Sequence, residues 1–169
     1  MSDFAGMSDF AAALQSVRPC VLGLLADNGP DWVAVDLEAE AAGIPLVPLP
    51  TFFTPAQLAH AVAATGMDAL YCTSESTARA LGFHRKNDLP WYSREAPPVP
   101  LPRGTAKVSF TSGTTDTPKG VCLSAAGQRE VARALAEATL RLGIERQQAS
   151  TRPSPPAHSG SRRRFLKSA

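Results

Sequence analysis

The chain has 169 residues, 44% of them hydrophobic and 19% charged. That is enough for one ordinary domain or part of a larger one, and it is not the composition of a disordered polymer. No uninterrupted run of about 18 apolar residues occurs, which excludes a helical membrane span. The start, Met1-Ser2-Asp3-Phe4-Ala5-Gly6, has neither a basic end nor a long apolar stretch, which argues against a secretory signal. The formal net charge is +2, from 17 basic and 15 acidic residues. Six of the basic residues follow Glu145, the last acid, so residues 1–145 hold eleven basic against 15 acidic residues. The body is acidic and the end basic, and the high pI says little about the body's partners. Cys20, Cys72 and Cys122 lack metal-ligand spacing; an odd, sparse set predicts buried free thiols in a reducing cytoplasm.

The segment MSDFA at 1–5 recurs at 7–11; with one copy each it is not a structural repeat, and an alternative start at Met7 is an equally cheap explanation. Phe10 to Val17 predicts a short helix ended by Pro19, within an N-terminal segment of residues 1–19. Cys20 to Leu25 is a short apolar run, read as a buried strand. Asp27-Asn28-Gly29 is turn chemistry, Pro30 suits a helix start and Gly43 a helix stop. Ile44 to Val47 predicts a second strand. Thr54-Pro55 repeats the start signal, a cap residue and then proline, for a helix ending near Gly66. Asp68 to Cys72 predicts a third strand, and Ser74 or Ser76 caps a short helix that ends at Gly82. Residues 83–104 hold Pro90, Pro97, Pro98, Pro100 and Pro102 and predict irregular structure. Lys107 to Phe110 and Gly120 to Leu123 predict two strands around a loop. Val131, Leu135, Ala138 and Leu142 fall on one face of a long helix from about Ala126 to Leu142, stopped by Gly143.

Residues 147–169, rich in Ser, Pro, Arg and Ala, show no periodicity and predict a disordered basic tail. Arg162, Arg163, Arg164 and Lys167 allow a basic arm for nucleic acid or membrane; the other reading, a tail with no selected role such as a frame-shifted one, is favoured, and no specific nucleic-acid partner is expected. Strands alternating with helices predict an α/β fold of mostly parallel strands. Ligands of such sheets sit beyond the carboxyl ends of the strands.

One loop in that position carries chemistry: Thr111-Ser112-Gly113-Thr114-Thr115-Asp116-Thr117-Pro118-Lys119-Gly120. Small residues let backbone N–H groups approach an anion, hydroxyls add donors and Lys119 adds a mobile charge, which is what triphosphate oxygens require. A Ser/Thr-rich hairpin turn is the plain alternative. The loop is not a P-loop, whose pattern fails at Pro118 and Gly120. His60, His84 and His158 form no triad or metal set, and Trp32 and Trp91 read as packing residues.

The order TSGTTDTPKGV at 111–121 resembles the T-S-G-T-T-G-x-P-K-G-V loop of the adenylate-forming (AMP-binding) superfamily, which includes acyl-CoA synthetases. Asp27 to Trp32 and Ala42 to Leu49 are similar to that family's early helix and strand, and the resemblance covers about residues 20–145. It implies the N-terminal portion of the family's fold, a partial AMP-binding domain over residues 20–146. It also implies a two-step ligase: a carboxylic acid reacts with ATP to give an acyl-adenylate and pyrophosphate, and a thiol such as coenzyme A takes the acyl group. By position, Thr111, Ser112, Gly113, Thr114, Thr115 and Lys119 would hold the ATP phosphates, accompanied by Mg²⁺. Asp116 stands where the family has glycine, and at about 6 Å and an effective dielectric near 20 its repulsion of a phosphate is roughly 3 kcal/mol. Nothing after Gly143 resembles the family's adenine-binding segment, ribose-binding aspartate, hinge or lid lysine. The expectation is therefore a truncated ligase, inactive alone; the alternatives are an inactive gene remnant or a non-catalytic fragment that self-associates through an open sheet edge.

Overall fold

The computed structural model describes residues 5–85, 89–111 and 117–150, with side-chain surroundings from residue 10 to residue 141 of these. It divides into two units, Met1–Glu130 and Val131–Ala169. In the first unit, helix α1 (Ala5–Val17) precedes strand β1 (Leu22–Leu25), helix α2 (Pro30–Ala42), strand β2 (Leu46–Pro48), helix α3 (Pro55–Thr65) and strand β3 (Ala69–Cys72). Helix α4 (Glu75–Ala80), strands β4 (His84–Arg85), β5 (Trp91–Ser93), β6 (Thr105–Thr111) and β7 (Lys119–Ser124), and helix α5 (Ala125–Ser150) follow. The second unit's described residues are the continuation of α5.

The helix boundaries follow local chemistry. Arg18 adopts φ 45° and its N–H closes on the Leu14 carbonyl, so α1 stops ahead of Pro19. Gly43 and Gly66 take the left-handed conformation past α2 and α3, where a side chain would be strained. Thr54 and Gln57 form a reciprocal capping box at α3, satisfying two N–H groups that the first turn leaves without partners. Of the two serines expected at α4, Ser74 is the cap, accepting from the Thr77 N–H.

Among the described residues seven strands form one sheet in the order β4-β5-β3-β1-β2-β6-β7. The centre is parallel: β1 pairs with β2 (Leu22 opposite Leu46) and with β3 (Leu22 opposite Ala69), and β2 pairs with β6 (Leu46 opposite Lys107). Both flanks are antiparallel, β5 on β3, β4 on β5 and β7 on β6. Central residues alternate between two cores. Leu22, Leu24, Leu46, Ala69, Tyr71 and Trp91 pack with Phe10, Leu14, Val35 and Ala39 on the face of α1 and α2. Val47, Leu70, Cys72, Tyr92, Val108 and Phe110 pack with Leu58, Ala61 and Val62 on the face of α3. The expected α/β fold of mostly parallel strands alternating with helices is the observed one, and the antiparallel flanks add to it.

Four expectations need correction. The region 83–104 is not wholly irregular: β4 and β5 lie within it, and the aromatic pair Trp91-Tyr92 fills both cores. Helix α1 begins at Ala5, not Phe10. Helix α5 runs through Gly143 to Ser150, because a glycine inside a helix costs only about 1 kcal/mol relative to alanine. Only Cys72 is a buried thiol; Cys20 precedes β1 at the surface and Cys122 lies on the sheet's edge strand, and both are exposed. On α5 itself, Val131 and Leu135 are 61% and 63% exposed. No described helix is long and apolar enough to cross a membrane. Residues 151–169, and with them the tail's basic cluster and His158, lie outside the described residues.

Candidate functional site

The loop singled out by sequence joins β6 to β7, and β6 runs parallel to β2, so the loop leaves the carboxyl end of the parallel centre. Ser112, Gly113, Thr114, Thr115 and Asp116 lie outside the described residues. Its two roots do not. Thr111 stands opposite Lys119 in the ladder, and its hydroxyl donates to the Lys119 carbonyl at 3.4 Å. Both are exposed, as is Thr117, while Pro118 is buried. Among the described residues no carboxylate pairs with the exposed Lys119 side chain.

Ladder register gives the hairpin two different faces. Thr111, Lys119, Ser109 and Lys107 share one; Phe110, Gly120, Val108 and Cys122 share the other. Gly120 is explained by packing. A Cβ there would lie 3.1 Å from Val108 Cγ1 and 3.3 Å from Phe110 Cζ, so glycine lets the Phe110 ring lie against the strand. His60 meets that ring edge-on, with centroids 6.5 Å apart. His60, Phe110, Thr117, Gly120 and Cys122 border a mostly apolar cavity of about 450 Å³ at the loop's base. Neither His60 nor His84 belongs to a group of three or more metal-ligating side chains, none of which occurs among the described residues.

Sequence reading missed Lys107. Its ammonium pairs with Asp36 of α2 at 2.6 Å and lies 5.8 Å from the centroid of the Trp32 ring. Both partners of the pair are only partly exposed, so the contact ties the hairpin's first strand to the helix layer. The signal was the one charged residue of β6 and an aspartate set between Val35 and Leu37 in α2. Trp32 packs at the margin of its core and Trp91 is buried, consistent with packing roles. The shifted titrations lie elsewhere: burial, reinforced by neighbouring Asp31, pushes Tyr71 up to about 12, and burial raises the Cys72 thiol.

The chain matches the AMP-binding enzyme family over residues 5–166. It belongs to that family. The match is wider than the span 20–145 over which the residues alone show the resemblance. Among solved structures, VinN in complex with 3-methylaspartate is 24% identical with a TM-score of 0.53, covering 70% of this chain and 38% of its own. A malonyl-CoA ligase with methylmalonyl-CoA and AMP bound is 24% identical with a TM-score of 0.51, covering 71% and 26%. The O-succinylbenzoate coenzyme A synthetase MenE of Bacillus subtilis, in complex with AMP, is 20% identical with a TM-score of 0.50, covering 72% and 35%. These likenesses show the fold, and the chain spans 26% to 38% of the length of these three structures. No curated protein sequence matches it significantly.

Proposed function

We propose that these residues are the N-terminal part of an ATP-dependent acid–thiol ligase of the acyl-CoA synthetase kind, and that the 111–119 loop grips the nucleotide's phosphates. The observation that carries the reading is the TSGTTDTPKGV sequence closing the β6–β7 hairpin at the carboxyl end of a parallel sheet, in a chain of the AMP-binding enzyme family. Thr111, Ser112, Thr114 and Thr115 supply hydroxyl donors, Gly113 lets the backbone approach, and Lys119 balances phosphate charge. Mg²⁺ would accompany the nucleotide's own phosphate oxygens and neutralise part of their charge. In the reaction so assigned, a carboxylate oxygen bonds to the α-phosphorus as the α–β phosphoanhydride bond breaks and pyrophosphate leaves. A thiolate sulfur then bonds to the acyl carbon and AMP departs. Retention of pyrophosphate's charge until it leaves is the loop's contribution.

Calorimetric titration with ATP and Mg²⁺ at millimolar concentration tests the loop, using the natural chain and Asp116→Gly. Heat in neither removes the reading. The residues in hand cover little over a third of VinN, the best covered of the three structures, so the chain alone is assigned no complete adenylation. ATP–pyrophosphate exchange by the isolated chain across a set of carboxylic acids overturns that assignment. A second reading, self-association, draws on β7: all six of its residues are exposed and it closes the sheet at one edge. Sedimentation decides it, a compact monomer speaking against it.

A further inference from the structure

At the opposite end of the sheet from the loop, where β3 begins, a polar cavity of about 820 Å³ is bordered by Asp68, His84, Ser93, Arg94 and Glu95. Arg94 is held on three sides. Its backbone N–H donates to the Asp68 carbonyl at 3.0 Å, its Nε donates to the Met67 carbonyl at 3.0 Å, and its guanidinium lies 5.3 Å from the centroid of the Phe83 ring. Such a side chain cannot swing to its exposed neighbour Glu95. Among the described residues, neither Nη atom of Arg94 has a hydrogen-bond or carboxylate partner, and Glu95 has no cation. Arg85, which also borders the cavity, is engaged with Glu75 at 3.6 Å and with the Tyr92 hydroxyl at 3.2 Å.

Asp68 completes the charge pattern. Its two oxygens each accept one backbone N–H, from Cys20 and Val21, both at 2.9 Å. Each oxygen keeps a further lone pair, and among the described residues no cation pairs with it. The cavity therefore presents one immobilised guanidinium edge and two carboxylates. A simple anion would satisfy the first and be repelled by the others, and a simple cation would do the reverse. A small zwitterion satisfies both. We propose that this cavity binds a free α-amino acid, its carboxylate on the Arg94 fork and its ammonium toward Glu95 and Asp68, with His84 and Ser93 meeting polar atoms of its side chain. The site is independent of the phosphate loop, and its test needs no nucleotide.

Titration of the full chain with L-alanine, N-acetyl-L-alanine and inorganic phosphate, followed by amide NMR shifts, reads the proposal directly. L-Alanine is expected to bind at least ten-fold more tightly than either of the others. Glu95→Gln, at an exposed position, is expected to erase that preference with an unchanged melting temperature, and Arg94→Lys to weaken L-alanine at least ten-fold by losing the planar fork. Phosphate or N-acetyl-L-alanine binding as well as L-alanine overturns it in favour of a plain anion site. Equal L-alanine affinity in Glu95→Gln, or no shift at tens of millimolar L-alanine, also overturns it.

Discussion

The parallel centre of the sheet and the β6–β7 hairpin at its rim divide the molecule's work. In β1 and β3 every residue is buried, and the strands read as unbroken apolar runs. In β7 every residue is exposed, and the hairpin's attachment to the centre rests on a short register with β2, the Lys107–Asp36 pair and the side chains of Val108 and Phe110. Burial on both faces stabilises the centre and leaves it nothing to offer a ligand. Exposure leaves the hairpin's hydroxyls and ammonium available for one. Stability and binding should therefore respond to different substitutions.

The largest separation is expected from Leu24→Ala, in the central strand and fully buried. It should cost about 3 kcal/mol in urea unfolding and leave ATP affinity per folded molecule unchanged. Asp116→Gly tests the other region: ATP should bind about a hundredfold more tightly by calorimetry as a carboxylate leaves the loop. A change in urea midpoint without a change in affinity would merge the two regions again. Lys119→Ala should weaken ATP about tenfold, roughly 1.4 kcal/mol, with no shift in melting temperature because the side chain is exposed. Thr54→Ala removes the α3 capping box and should cost about 1 kcal/mol of stability, read as a lower melting temperature. The smallest effect is alkaline. Tyr71, at about 12 when folded against 10 when unfolded, stays protonated in the native state while the unfolded chain loses its proton. Stability is whole below pH 10 and falls as pH rises toward 12, by under about 1 kcal/mol at pH 10.5. Tyr71→Phe should flatten that limb of the urea midpoint measured against pH.

Much of the centre was legible because its signals are local. Pro30 with Gly43, and Thr54-Pro55 with Gly66, fix helix ends through backbone chemistry that no distant contact overrides. Strand β5 was hidden: three residues are too few to show a period, and Pro90 and the prolines after it pointed to a loop. Its partner β3 holds it by pairing Tyr71 with Trp91, a contact between distant parts of the chain. Gly143 misled for the reverse reason, since a glycine in the left-handed conformation stops a helix while one in helical geometry only weakens it. The phosphate-binding role proposed for the loop rests on its residue order alone. The Arg94 cavity was not legible, because Asp68, His84 and Arg94 meet only once β3, β4 and β5 are side by side.

Strand order also bears on how the polypeptide is made. The middle strand β1 leaves the ribosome before any of its partners, β2 then covers one side and β3 the other, and β2's far side waits until residues near Lys107 arrive. For some sixty residues of translation the nascent chain displays a bare row of amide and carbonyl groups on β2, a template for any extended polypeptide nearby. Growth outward in both directions from the earliest strand thus makes the hairpin a closing piece for biosynthesis as well as the bearer of the loop.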